Sequence, residues 1–399
     1  MNRLIIRFIG IMFISLLLTG CWDKREINEL AIATAISIDQ IDDEFHVSAQ
    51  VVIPTELSKQ GGGTGSSPVT LYQASGVSVN EAIRKLTLVA PRTIYLGHLQ
   101  VVVISEELAK EGILPIVDFL SRGWGHRPDF YLIVSKEMDA RDILKVQTSL
   151  EKIPSSELFN ILHSSEANYS STLAATFNKM KVNLDREGKE GVLTGVQIIG
   201  DRTKGPMNEN VQTIDPEAKI KFGELAVFKG DKLIGWLNDK ESRGYNGITN
   251  QVNSTIGVVS CPDGGKVSLD FEKFNSKIKS KKVSSNPEIE IQVDIVADIG
   301  EVSCNIDLTK QETVKMLEKE MEKVVKSDMQ DTIKTVQQNF QSDIFGFGAA
   351  IHKQNPKEWK NLKENWDEVF AELPVNIKVD LRISHFGSLI NPVSGVTSK

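Results

Sequence analysis

Residues 30–38 and 45–53 are two runs rich in Ile, Val and Ala, separated by the acidic segment 39–44. Two apolar runs around a short polar link predict an antiparallel pair of strands. Farther on, Ala82, Ile83, Leu86 and Val89 recur at helical spacing behind Ser78, so a helix capped by Ser78 is expected over 79–89, closed by Pro91. Residues 99–104 are apolar and β-branched, Ser105 with Glu106 and Glu107 opens a second helix to about 121, and 130–134 returns as a strand. Segments 138–144, 154–162 and 171–180 read mainly as helices.

The second half changes period. Short strands are expected at 195–199, 224–228 and 233–237, the last two joined by a Gly230-Asp231 hairpin turn. Ile289, Ile291, Val293, Ile295, Ala297 and Ile299 alternate strictly with polar residues, as do Val375, Ile377, Val379, Leu381 and Ile383. Only strands with one wet face need that alternation, and both are expected in one antiparallel sheet. Between them Val314, Leu317, Met321, Val324, Ile333, Val336 and Phe340 mark an amphipathic helix over 308–344 that should cover the sheet's dry face. A shorter helix over 356–370 gathers Trp359, Leu362, Trp366 and Phe370, which suit core packing better than an exposed grip.

The fold class is therefore α+β and multidomain, with mixed and antiparallel sheets covered by helices. An N-terminal α/β domain is expected over 21–185, a middle β-rich segment over 186–245 after the polar stretch 183–190, and a C-terminal α+β domain over 246–399. A length of 399 residues exceeds what one core usually serves.

Residues 1–20 have a different character. Arg3 and Arg7 precede an apolar run from Phe8 to Leu18, and Leu18-Thr19-Gly20-Cys21 follows at once. This order predicts a lipoprotein signal peptide cut between Gly20 and Cys21, with lipid placed on the Cys21 thiol. The run is too short for a membrane span of about 20 apolar residues. Two acyl chains hold a protein at a bilayer where one only visits, since each buried methylene contributes about 0.8 kcal/mol. The remaining chain offers lipid no spanning segment, so a globular body tethered to the outer face of the membrane is expected.

The formal net charge is -7, and removing Arg3 and Arg7 brings it to -9. Acids outnumber bases and the basic run 277–282 is short, which excludes a nucleic-acid partner held by clustered Lys and Arg. Apart from Cys21 the cysteines are Cys261 and Cys304. An exported protein can oxidise them, but their spacing leaves open whether they join.

No constellation of catalytic residues emerges, and no metal or cofactor is expected. Ser149-Leu150-Glu151-Lys152 fits a serine-acyltransferase S-x-x-K without its supporting elements. Gly76 to Asn80 misses the last glycine of a nucleophile elbow, and Ser78 serves better as a helix cap. The six histidines never pair at zinc-binding i, i+4 spacing, and 61–65 lacks the Gly-Lys ending of a phosphate loop. Contact surfaces are more in keeping with the chain: the glycine-flanked Trp124 in a helix-to-strand loop is one candidate, and Arg243 and Tyr245 are others.

Several marks in order make the chain resemble the Ger(x)C family, the C-subunit lipoproteins of spore germinant receptors. They are Leu18-Thr19-Gly20-Cys21-Trp22-Asp23 running into Arg25-Glu26-Ile27-Asn28-Glu29-Leu30, then Pro91-Arg92-Thr93-Ile94-Tyr95-Leu96-Gly97-His98 and Arg127-Pro128-Asp129-Phe130. In the second half come Phe228-Lys229-Gly230-Asp231-Lys232-Leu233-Ile234-Gly235-Trp236-Leu237, Glu241-Ser242-Arg243-Gly244-Tyr245, Trp359, Asn365-Trp366 and Gly387-Ser388. The resemblance implies three mixed α/β domains, residence on the outer face of the inner spore membrane, and assembly with integral membrane A and B subunits that trigger germination on sensing nutrients. Only Cys21 carries a defined chemical role across. The alternative for a tethered exported chain is the solute-binding lipoprotein of an ABC transporter, which requires two doubly wound lobes around a cleft.

Overall fold

The computed structural model describes residues 3, 5, 7, 29–57, 67–123, 127–262, 264–283 and 286–386. Strands β1 (Leu30–Ile41) and β2 (Glu44–Val52) pair antiparallel, as their patterning predicts. The link between them is Asp42-Asp43, with φ of +49° and +63°. A two-residue hairpin link favours left-handed backbone, and Asp tolerates it.

The first sheet continues with β3 (Val69–Gly76), β4 (Thr93–Tyr95), β5 (Val101–Ser105), β6 (Tyr131–Ser135), β7 (Val192–Gly200), β8 (Ala218–Lys229) and β9 (Lys232–Leu237). Its order is β3-β2-β1-β5-β6-β7-β8-β9, with β4 beside the start of β1. The centre, β1-β5-β6-β7, is parallel and the flanks are antiparallel. Parallel strands need crossovers, here supplied by helices such as Glu106–Glu111 and Leu114–Arg122 between β5 and β6.

Both faces of this sheet are covered. Val102, Ile104, Leu132 and Val134 enter one core with Leu108, Ile116, Leu120 and Phe177. Val101, Val103 and Ile133 enter the opposite core with Leu158 and Leu162 of helix Pro154–Asn168. A strand buried on both faces has no polar position to spare, which is why 101–104 is an unbroken apolar run.

Residues 186–245, expected to form a separate middle segment, belong to this sheet instead: β7 pairs with β6, and β8 and β9 extend the edge. Of the polar stretch 183–190, residues 183–185 end a helix and the rest leads toward β7. The predicted Gly230-Asp231 hairpin is present, with Lys229 opposite Lys232. The helix expected at 171–180 is displaced to Phe177–Asp185, where Thr176 caps it by accepting from Lys179 N.

The second sheet has the order β10 (Thr255–Ser260), β11 (Lys266–Val283), β12 (Asn286–Val302) and β13 (Val375–His385). The two alternating runs are neighbours, but β12 and β13 pair parallel, which corrects the antiparallel expectation. One-sided burial imposes the same alternation on either direction, and the long helical excursion between the strands returns the chain to the same end.

That excursion begins with helix Gln311–Thr335, which continues as a π-helical turn, Val336–Phe340, and stops at Gln341 with φ of +47°. Leu317, Met321, Met329 and Ile333 are buried along it. Its Glu318 and Glu322 carboxylates accept from Ile383 N (2.9 Å) and Leu381 N (3.1 Å), closing the outer edge of β13 against pairing with another chain. The expected helix over 356–370 is two helices, Pro356–Leu362 and Trp366–Glu372, so placed that Trp359 and Trp366 meet edge to face at 5.2 Å in the core.

Cys261 and Cys304 are joined as a disulfide with Cα atoms 6.4 Å apart. It ties the chain after β10 to the chain after β12. One continuous apolar core runs from the first sheet through Tyr245, Ile248 and Phe345 to Ile291 and Leu381 of the second.

Candidate functional site

The junction between the two sheets holds a cluster of buried polar contacts. At its centre is Asp343, 2% exposed. Its carboxylate accepts from the backbone N–H groups of Gly346 (2.8 Å), Phe347 (3.0 Å) and Gly348 (2.7 Å) and from the Trp366 indole (3.2 Å). Burial pushes the carboxyl up to about 6, against the pull of those N–H donors. Gly346 and the residues after it start helix Phe347–Gln354, so the aspartate gathers donors a helix cannot satisfy itself.

The connection into β7 closes on this centre from the other side. Ala349 N donates to Gly188 O, Glu190 N to Asp343 O, and the Trp359 indole to the Glu187 carboxylate, all within 2.8–2.9 Å. Gly188 has φ of +74° and lies so close to Gly348 that a Cβ would sit 2.6 Å from the Gly348 carbonyl carbon. Lys189 is pressed beside the same group. Burial and neighbouring Arg186 hold its ammonium below the usual lysine range while Asp343 opposes them.

The helix Asp239–Ile248 is the second half of the junction. Asn238 and Glu241 form a reciprocal capping box at its start. Asn246 donates to Ser170 O and Thr172 O, both at 2.9 Å, and so grips the segment that sequence periodicity reads as helix. Gly244 is packed where a Cβ would meet Thr332 of the long helix at 2.1 Å.

Of the residues expected at partner contacts, Tyr245 lies inside this junction and Arg243 is half-exposed at its edge. Tyr245 is buried, 6.1 Å from the Phe345 ring, and burial raises its phenol above the ordinary tyrosine range. The Arg243 guanidinium lies 5.1 Å over the Tyr169 ring and donates to Ile256 O and to Thr255 Oγ1, bridging the first sheet's helices to β10. Tyr245 therefore presents no surface of its own, while half-exposed Arg243 lines an open cleft with the exposed Asp239 and Lys240. Trp124, Gly20, Cys21 and the Gly387-Ser388 mark lie outside the described residues.

Other sequence marks also resolve into packing. The Trp236 indole donates to Glu106 at 3.1 Å, and Glu106 accepts from Glu137 N at 2.8 Å and pairs with Lys110 at 2.8 Å. Burial opposes that charge, yet Lys110, the amide and the indole together hold Glu106 below the usual carboxylate range. Asp39, placed by sequence in a turn, is a buried strand residue whose carboxylate accepts from Ala140 N (2.6 Å) and Arg141 N (3.1 Å). Its burial pushes it up to about 6. Neither Asp39 nor Asp343 was flagged by pattern. Asp343 stands a few residues before a helix start, and Asp39, inside β1, carries no such local signal.

The chemical candidates stay apart from any such cluster. Ser78 accepts from Glu81 N as a helix cap, and Ser149 and Lys152 are exposed in the irregular segment before helix Pro154–Asn168. Among the described residues, no three His, Cys, Asp or Glu side chains are grouped to hold a metal ion, and no helix is long and apolar enough to cross a membrane.

The two ends of the first sheet carry open clefts. At the end where β1 begins, Leu30, Ile32, Ile53, Tyr72, Pro91 and Arg92 line about 620 Å³. At the far end, Phe45, Val77, Val79, Pro115, Phe119 and Arg122 line about 670 Å³ beside Gly123.

Comparison with known proteins adds to this geometry. A family described as spore germination protein N-terminal domain matches residues 23–198, and one described as spore germination B3/GerAC like, C-terminal, matches 223–387. The chain is 33% identical over 389 residues to spore germination protein KC of Bacillus subtilis (strain 168), covering 95% of each. It is 22% identical to spore germination protein B3 of the same organism, over 96% of this chain and 98% of that one. The crystal structure of the GerBC protein superposes with a TM-score of 0.57 at 16% identity, covering 87% of this chain and 96% of that one, a likeness of fold.

Proposed function

This chain belongs to the GerAC-like family of spore germination proteins, the C subunits of germinant receptors, and we propose that it is a lipid-anchored C subunit acting through protein contacts. The observation that carries the reading is the match to spore germination protein KC across 95% of both chains. Cys21, at the end of Leu18-Thr19-Gly20-Cys21, takes the diacylglyceryl thioether after cleavage and holds the body on the outer face of the inner spore membrane. The A and B integral membrane subunits are its partners, and nutrient-triggered germination is the outcome it serves.

Two features support work by contact over catalysis. The two carboxyls that burial raises most, Asp39 and Asp343, are enclosed, Asp39 held by backbone donors and Asp343 by backbone donors and the Trp366 indole. The serine and lysine of the S-x-x-K segment stand exposed without supporting groups. A solute-binding protein would enclose its ligand between two doubly wound lobes. Here the second sheet has alternating strands with one wet face.

The test is Cys21→Ala in spores, read by membrane retention and by nutrient-triggered germination. Loss of the chain from the membrane fraction together with slowed germination is expected. Unchanged retention and germination would refute the anchored-subunit reading.

A further inference from the structure

The anchor reaches one end of the molecule first. Eight residues, 22–29, separate Cys21 from Leu30, the first residue of β1. Fully extended, they span at most about 30 Å. β4 lies parallel to the start of β1 with Leu30 opposite Thr93, so the chain enters both strands from the same end. The residues just before β4 therefore sit at the end of the sheet that the tether serves.

Those residues present apolar side chains to solvent. Leu88 is 82% exposed and Val89 57% exposed, adjacent to each other at the close of the 3-10 turn Leu86–Leu88. Pro91 and Arg92 follow, both exposed. Leu86 beneath them is fully buried and fixes the turn in the first core, so the projecting pair is held on a rigid base. Val89 N and Ala90 N both donate to Leu86 O, which holds the knuckle in shape. The opposite end offers a comparison position: Val77 is 75% exposed directly after β3, whose last residue Gly76 pairs with Phe45 beside the Asp42-Asp43 turn. β1, with 12 residues, separates the two ends by roughly 40 Å.

We propose that the Leu88–Val89 knuckle, with Pro91 and Arg92 beside it, is a second membrane contact that rests in the headgroup and upper acyl region of the bilayer next to the lipid anchor. The inference rests on the anchored reading of Cys21. A mature charge of -9 rules out general attraction to anionic lipid, so the contact relies on two apolar side chains pointing out of a firm turn. Arg92, an exposed cation beside the pair, suits the phosphate level with its stem lying along the apolar layer. The contact turns a flexible tether into an oriented one, with the β1–β4 end down and the Val77 end up.

The full lipidated chain, reconstituted into phosphatidylglycerol and phosphatidylethanolamine vesicles, tests this with a nitroxide at Leu88→Cys or at Val77→Cys. With Cys21 acylated and Cys261 joined to Cys304, the new thiol is the one labelled. The Leu88 label should lose accessibility to a water-soluble nickel relaxant several-fold on vesicles and gain accessibility to oxygen, while the Val77 label changes in neither. Sedimentation with vesicles separates the two readings. A chain that sediments while its Leu88 label stays as wet as Val77 overturns the membrane contact alone, and so does a Leu88 label that dries only when the A and B subunits are added. A chain that does not sediment overturns the anchor and the contact together.

Discussion

In β5 all five residues, Val101–Ser105, are buried, whereas in β13 only Ile377, Leu381 and Ile383 are. The first sheet holds its order by being enclosed between two apolar cores. The second has one wet face and is braced by other means: a disulfide at one end, a long helix whose glutamates cap its edge strand, and the Asp343 junction that fixes it to the first. A sheet with half the burial needs covalent and polar restraints, and of these the Asp343 contacts lie where the two sheets meet. Perturbing them should therefore act on β10–β13 before β1–β9.

The largest effect is expected from Asp343→Ala. Three backbone N–H groups and the Trp366 indole lose their acceptor in a closed site. The cost should be about 5 kcal/mol, since each buried donor left unpaired costs about 1–3 kcal/mol. Urea unfolding followed by hydrogen exchange should show β12 and β13 losing protection while β5 and β6 keep theirs. Asp343→Asn, which retains an acceptor oxygen, should lose much less. Equal loss of protection in both sheets would break the comparison.

Reducing the Cys261–Cys304 bond comes next. The joined cysteines are 43 residues apart, and the chain-entropy relation gives about 4 kcal/mol for a loop of that size. Thiol treatment should lower the unfolding midpoint of the second sheet, and Cys304→Ser should reproduce it. An unchanged midpoint would show that the edge strand and junction alone suffice.

The smallest of the three is a dependence on pH. Asp39 and Asp343 have folded pKa values near 6 against 3.8. Each binds its proton more tightly when folded, so the stability linked to it is fully present below about pH 4 and is lost as pH rises through about 6. The span is at most about 3 kcal/mol per group. Glu190, raised by burial, adds in the same direction. Glu290 has the opposite sign, but Lys281 and Lys378 hold it at about 2, so its contribution is lost only in strong acid. Urea stability should therefore rise from pH 8 to pH 5. Asp39→Asn should flatten the slope in the first sheet and Asp343→Asn at the junction. A slope unaffected by either would place the effect elsewhere.

How much of this was legible depended on whether the burial was periodic. Strict alternation at 289–299 and 375–383 located β12 and β13 because one wet face leaves a period of two in the sequence. Their parallel direction left no mark, since burial alternates identically either way. The apolar run at 101–104 marked a central strand, and Ser78 and Ser105 marked helix starts that the structure bears out. The junction was not readable. Asp343 and Gly188 act through backbone groups brought together from positions 155 residues apart, and no local pattern encodes a contact of that kind. Tyr245, expected at a partner contact, is buried at the junction, while Arg243 stays half-exposed over the Tyr169 ring. An arginine over a tyrosine ring reads the same from sequence whether the ring belongs to a partner or to the chain itself.

The most direct test of the central claim is mass spectrometry of the N-terminal peptide from chain purified out of spore membranes. In that peptide residues 1–20 should be gone and Cys21 should carry a diacylglyceryl thioether. A free thiol at Cys21, or a peptide still bearing Arg3 and Arg7, would contradict it.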